Sequence, residues 1–188
     1  MERKEIKQLA REALQKDRWM PVAVTGVYSV IIGMSSVVSM VLSGPLSIGV
    51  FSYYKKSLNN EKRDFLDLFS GFKDFVKPLC TGLLVMLYTL LWGLIPIVGP
   101  IISMVKNYSY SLSLLLLHDN PELSPKEAIE KSIKMMDGHK FDRFVLDLSF
   151  ILWDLLGFLT LSILNFLYVT PYKQFSVILF YEDIKNEH

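Results

Sequence analysis

Residues 78–117 read PLCTGLLVMLYTLLWGLIPIVGPIISMVKNYSYSLSLLLL, forty residues with Lys106 as their single charge. A helix that crosses a bilayer needs about 20 residues, rising about 1.5 Å each through a core of about 30 Å. Forty apolar residues are therefore two crossings. Pro96 and Gly99-Pro100 supply a break between them. Proline suits the first turn of a helix, where its missing N–H would have had no partner.

Two further blocks repeat the pattern. Trp19–Tyr54 and Phe144–Tyr181 are 36 and 38 residues long, with Gly44-Pro45 and Thr170-Pro171 inside them. The three blocks hold only four of the 39 charged residues: Lys106, Asp147, Asp154 and Lys173. A water-soluble domain mixes charge along every element. This segregation, with 51% hydrophobic residues, excludes a disordered chain and predicts an all-α polytopic membrane bundle. The expected membrane helices are 20–42, 45–58, 78–95, 100–117, 143–165 and 170–183, six in three hairpins. The second and sixth are short and are expected to tilt, to thin the bilayer or to span in part; re-entrant segments are the alternative.

Lysine and arginine set the orientation. Residues 1–18 and 55–77 carry six each and residues 118–143 carry five, whereas the expected outer turns 43–45, 96–99 and 166–170 carry none. The positive-inside rule puts both termini and both long loops in the cytoplasm. The whole chain, 1–188, then reads as one integral-membrane domain of the cytoplasmic membrane. Its parts are a cytoplasmic helix (1–18), membrane hairpins (19–54, 78–117, 144–181) and cytoplasmic loops (55–77, 118–143). Glu2, Glu5, Glu12 and Asp17 in the first segment, and the length of the apolar run after it, argue for a retained anchor rather than a cleaved signal.

The cytoplasmic parts carry amphipathic patterns. Ile6, Leu9, Ala10, Ala13 and Leu14 recur at helical spacing in 2–18, and Phe65, Leu68, Phe69, Phe72 and Phe75 form a stripe in 64–76. In 125–136, Ile129, Ser132, Ile133 and Met136 share a face. Ser124, Pro125 and Glu127 form a capping box there, and Gly138 is suited to the stop.

No catalytic or metal-binding pattern is present. Cys80 is the lone cysteine, and His118, His139 and His188 are scattered. His118-Asp119 beside Asn120-Pro121 reads as a turn. No phosphate loop or other cofactor motif occurs, and a net charge of +1 gives no reason to expect nucleic acid. The chain reads as a non-enzyme whose partners are the lipid bilayer and a peptide or another membrane protein; its oligomeric state stays open.

The candidate site is polar and intramembrane: Lys106, Asn107, Tyr110, Asp147 and Asp154. A charge at mid-membrane costs roughly 2.5–3.5 kcal/mol, so such residues turn inward and find partners. Lys106 lies about 9 Å from the outer end and Asp154 about 16–17 Å from the inner end, at similar depth. They are expected to pair, with Asp147 on the same face as Asp154 and Lys173 snorkelling to the outer surface. The line Lys106/Asp154/Asp147 would serve a small transporter or channel subunit, the alternative function; a register-fixing ion pair is its structural counterpart.

The second half carries a recognisable run: Tyr108-Ser109-Tyr110, Asp119-Asn120-Pro121, Ala128, Ser132, Met136-Asp137-Gly138-His139-Lys140, Phe144, Leu148-Ser149-Phe150, Trp153, Pro171-Tyr172 and Phe180-Tyr181. Pro45-Leu46, Gly49 and Gly71-Phe72 fit upstream. Over roughly 45–183 this order resembles a bacterial integral-membrane family called domain of unknown function 975. One departure is Ile95-Pro96-Ile97-Val98-Gly99-Pro100, where that family has a compact Ile-Pro-Gly turn. The resemblance implies a multi-helix membrane protein and supplies no activity and no catalytic residues.

Overall fold

Helix α3 decides how the first block folds, because it runs unbroken from Ser36 to Leu58 with Pro45 inside it. The computed structural model describes residues 3–16, 19–33, 36–159 and 164–187. Among these the chain is all helical, with no strand. The helices are α1 (Arg3–Lys16), α2 (Trp19–Gly33), α3 (Ser36–Leu58), α4 (Val76–Gly93), α5 (Gly99–Tyr110), α6 (Ser113–Asp119), α7 (Pro125–Met135), α8 (Lys140–Leu148), α9 (Ile151–Leu159) and α10 (Thr170–Lys185). A 3₁₀ helix spans Phe65–Phe72 and a π-helical turn spans Asn165–Val169.

Four expectations change. The turn expected at 43–45 is helix, inside α3. Proline removes one helical hydrogen bond but does not forbid a helix whose neighbours hold it. Here α3 packs along α2, α4 and the 3₁₀ helix. The turn expected at 166–170 is also helical: the π turn runs straight into α10. The helices expected at 100–117 and 143–165 are each divided, at Ser111-Leu112 and at Ser149-Phe150. Only the turn of the middle hairpin falls where expected, with α4 ending at Gly93 and Pro100 in the first turn of α5.

The turn of that hairpin is strained. Ile97 has φ +67° and is 95% exposed. A β-branched residue in the left-handed region costs about 1–2 kcal/mol.

The break between α5 and α6 is held from outside. Buried Ser132 of α7 donates from Oγ to Ser109 O at 2.7 Å and accepts from Leu112 N at 3.2 Å. One hydroxyl thus satisfies an acceptor and a donor that the broken helix leaves without partners. Helix α7 is positioned by its capping box, with Ser124 N donating to Glu127 Oε2 at 2.8 Å and Glu127 N to Ser124 Oγ at 3.3 Å. The 3₁₀ helix is capped likewise by Asp64 and Asp67, so the stripe expected over 64–76 folds as a tighter helix that buries Leu68 and Gly71.

The core is aromatic. Tyr53, Tyr54, Phe150, Tyr172, Phe175 and Tyr181 are all under 2% exposed, and they join α3 to α10 and to the α8–α9 junction. Helix α1 covers α10 with Ile6, Ala10, Ala13 and Leu14 buried. Tyr54 locks α2 to α3: its hydroxyl lies 2.7 Å from Thr25 Oγ1 and donates to Pro21 O at 3.2 Å. At Gly49 an added Cβ would lie 1.7 Å from Leu68 O, so α3 touches the 3₁₀ helix backbone to backbone.

Candidate functional site

The five residues expected to form one polar cluster fall into three places. Lys106 Nζ stands over the Trp92 ring at 4.9 Å, and Trp92 Nε1 donates to the Tyr110 hydroxyl at 3.2 Å. Lys106 and Tyr110 therefore meet around one indole at the α4–α5 seam, a cation–π arrangement. Asn107 is exposed, on the wall of an open, mostly apolar groove between α4 and α5. Asp147 of α8 lies 3.6 Å from Arg143 Nη2 and 3.5 Å from Lys173 Nζ. Asp154 is exposed on α9 among Ile151, Leu152, Leu155 and Leu156, and makes no ion pair among the described residues.

The expected Lys106–Asp154 pair does not form. Depth along a helix fixes height only; α5 packs against α8, and Lys106 turns to α4. Lys173, its side chain 38% exposed, approaches Asp147. The misplaced turn explains this. With the third block expected to fold back at 166–170, Asp147 and Lys173 fall at opposite depths. Residues 166–170 are helical, so that placement of the two does not hold.

The densest polar arrangement is one that the sequence reading passes over. Asp119, at the last turn of α6, has a side chain only 7% exposed. Lys55 of α3 donates to both its oxygens, at 2.6 and 2.7 Å. Lys185 of α10 donates to Oδ2, as does the Tyr181 hydroxyl at 3.1 Å, and His118 Nδ1 lies 3.0 Å from Oδ1. Glu182 Oε1 lies 2.9 Å from Lys55 Nζ. Phe51 seats the group from below, edge-on to His118 at 5.4 Å and to Tyr181 at 6.0 Å.

Two lysines face two carboxylates, so the hub is neutral with His118 uncharged. Burial pushes the Asp119 carboxyl upward, but the hydrogen bonds from His118, Lys185 and Lys55 outweigh it and hold the group well below the usual carboxylate range. Burial lowers Lys55, yet Asp119 and Glu182 more than restore it and leave it raised. Both oxygens of Asp119 are occupied, so the hub is a clasp for the ends of α3, α6 and α10 rather than an open ligand site.

A cavity of about 270 Å³ adjoins it, lined by Ser52, Ser70, Lys73 and His118 among others. No group of three His, Cys, Asp or Glu able to hold a metal occurs among the described residues. The sequence signals for the hub were Lys55, His118-Asp119 and Glu182-Asp183-Ile184-Lys185, each at a helix end next to an apolar run. What the sequence lacked was the topology that brings three such ends together.

No curated protein and no solved structure matches the chain. The upstream residues Pro45-Leu46, Gly49 and Gly71-Phe72 lie outside the one family match, yet Gly49 and Gly71 have a common physical reason. An added Cβ would meet Leu68 O at 1.7 Å at the first and Pro45 O at 2.1 Å at the second. Residues 97–188 match the family model described as protein of unknown function (DUF975), and this part of the chain, which holds the clasp residues Asp119, Tyr181 and Lys185, is similar to that family.

Proposed function

We propose that the chain is a multi-pass protein of the cytoplasmic membrane that acts by binding a lipid, a peptide or another membrane protein, and not by catalysis. The observation that carries this reading is the apolar surface of α4, α5 and α9. Met86, Leu87, Leu90 and Leu91 of α4 are each about half exposed, and Ile101, Met104 and Val105 continue the stripe on α5. Ile151, Leu152, Leu155 and Leu156 repeat it on α9. Water-soluble monomers do not leave contiguous apolar faces of this extent uncovered. A bilayer covers them without cost.

Further support comes from α4, the one helix among those described that is long and apolar enough to cross a membrane: 18 residues, of which 11% are buried. At about 1.5 Å per residue it measures about 27 Å, close to the thickness of a hydrocarbon core. The packing of α1 along α10 favours both termini on one side, as the lysine and arginine distribution predicts. The alternative, a small transporter or channel subunit using Lys106, Asp154 and Asp147, has the weaker support, since the three residues lie apart.

Single-cysteine labelling tests the topology. With Cys80→Ser as background, Ile97→Cys should react with an impermeant maleimide added outside intact cells, and Asn60→Cys only after lysis. Labelling of both from outside, or a monodisperse protein obtained without detergent, would overturn the proposal.

A further inference from the structure

A second cavity of about 270 Å³ lies between α2, α3, α6, α8 and α10, and none of the clasp's charged residues lines it. Arg143 and Lys173 line it, with Gln174, Ser47, Ser111 and Tyr28. Arg143 is 8% exposed, and its Nε and Nη1 are buried without a hydrogen-bond partner. Its Nη2 stops 3.6 Å from Asp147 Oδ1, beyond hydrogen-bond range. One face of the guanidinium rests on Phe180, at 5.9 Å. Lys173, whose side chain is 38% exposed, approaches the same Asp147 oxygen at 3.5 Å.

Buried guanidinium groups ordinarily have their donors filled, since each unmet one carries its full desolvation penalty. Here one carboxylate is shared between two cations, so the wall keeps an excess positive charge. The planar fork of arginine matches the oxygens of a phosphate or carboxylate, with lysine as a second point charge. The hydroxyls of Ser47 and Tyr28, 3.5 Å apart, and the Gln174 amide add neutral donors. The space exceeds what one water needs several times over.

We infer that this cavity binds a phosphate group, free or carried on a lipid headgroup, with Arg143 as its anchor and Lys173 as the second cation. The inference stands on the cavity and requires no particular membrane topology.

The test is calorimetric titration of inorganic phosphate into the full chain in neutral detergent, at ionic strength held constant with chloride. The wild type should bind saturably. Arg143→Lys, which keeps the charge facing Asp147 but loses the fork, and Lys173→Gln should each weaken binding about 10-fold or more. Asn107→Ala, remote from the cavity, should leave it unchanged. In parallel, nanodiscs of phosphatidylcholine with and without phosphatidic acid, read by mass spectrometry of the retained lipid, distinguish the sources. Retention by the wild type and not by Lys173→Gln identifies a headgroup; free phosphate binding without retention identifies a soluble anion. Should Arg143→Lys fail to fold, the half-exposed Lys173 carries the test. Absence of both phosphate binding and lipid retention in the wild type, or equal binding by wild type and Lys173→Gln, overturns the inference.

Discussion

The two ends of this molecule obey different rules. Where α3, α6 and α10 meet, charged groups pair across elements: Asp119 alone gathers two lysines, a tyrosine and the neighbouring histidine. On α4, α5 and α9 the outward side chains are mostly leucine, isoleucine, methionine and valine, with Asn107 and Asp154 among them. The contrast teaches where specificity is spent. The clasped end fixes which helices are neighbours, and the apolar face asks only for an apolar surrounding.

Substitutions should therefore cost most at the clasped end. Gly49→Ala is expected to have the largest effect, about 4 kcal/mol or loss of folded protein, because its Cβ would meet Leu68 O at 1.7 Å. Detergent-resistant yield and melting temperature check it. Next is Asp119→Asn, at about 3 kcal/mol, since it leaves part-buried Lys55 with Glu182 alone and takes the carboxylate from Lys185.

The same residue predicts a pH profile. A carboxyl held below its unfolded pKa of about 3.9 contributes stability above that pH and loses it as the pH falls through the folded value. Raised Lys55 contributes below about pH 10.4 and loses its share as the pH climbs through its own folded value. Thermal melts should show a plateau between these limits, and Asp119→Asn should flatten the acid limb.

Ser132→Ala follows, at about 1–3 kcal/mol, from the unmet Ser109 carbonyl and Leu112 N–H at the α5–α6 break. Ile97→Gly should reverse the sign and stabilise by about 1 kcal/mol, because it relieves φ +67° at a side chain that packs on nothing. Leu152→Ala, on the apolar face, should stay within about 0.5 kcal/mol; a large loss there would mean that the face is buried against something specific.

The sequence made the all-helical class legible because apolar run length and charge segregation are local properties. It made both ends of α7 legible for the same reason: Ser124, Pro125 and Glu127 form the capping box, and Gly138 has φ +86° just past the stop. Proline was the misleading signal. Pro100 and Pro171 do lie in first helical turns, but Pro45 is interior and Pro171 continues a π turn instead of opening a new helix. Proline marks where a helix could start, and the packing of α3 decided otherwise. Misplacing the turn at 166–170 set Asp147 and Lys173 at opposite depths, and depth alone could not tell that Lys106 faces Trp92. The clasp stayed hidden because its members, Lys55, Asp119 and Lys185, are far apart in the chain and each reads as an ordinary loop-edge charge.

Spin-label accessibility in liposomes reaches the central claim most directly. With Cys80 replaced by serine, nitroxides at Leu90, Ile101 and Leu152 should collide with oxygen and be shielded from a water-soluble nickel chelate, and a nitroxide at Lys126 should show the reverse. Nickel access at Leu90 and Leu152 equal to that at Lys126 would contradict a lipid-covered face.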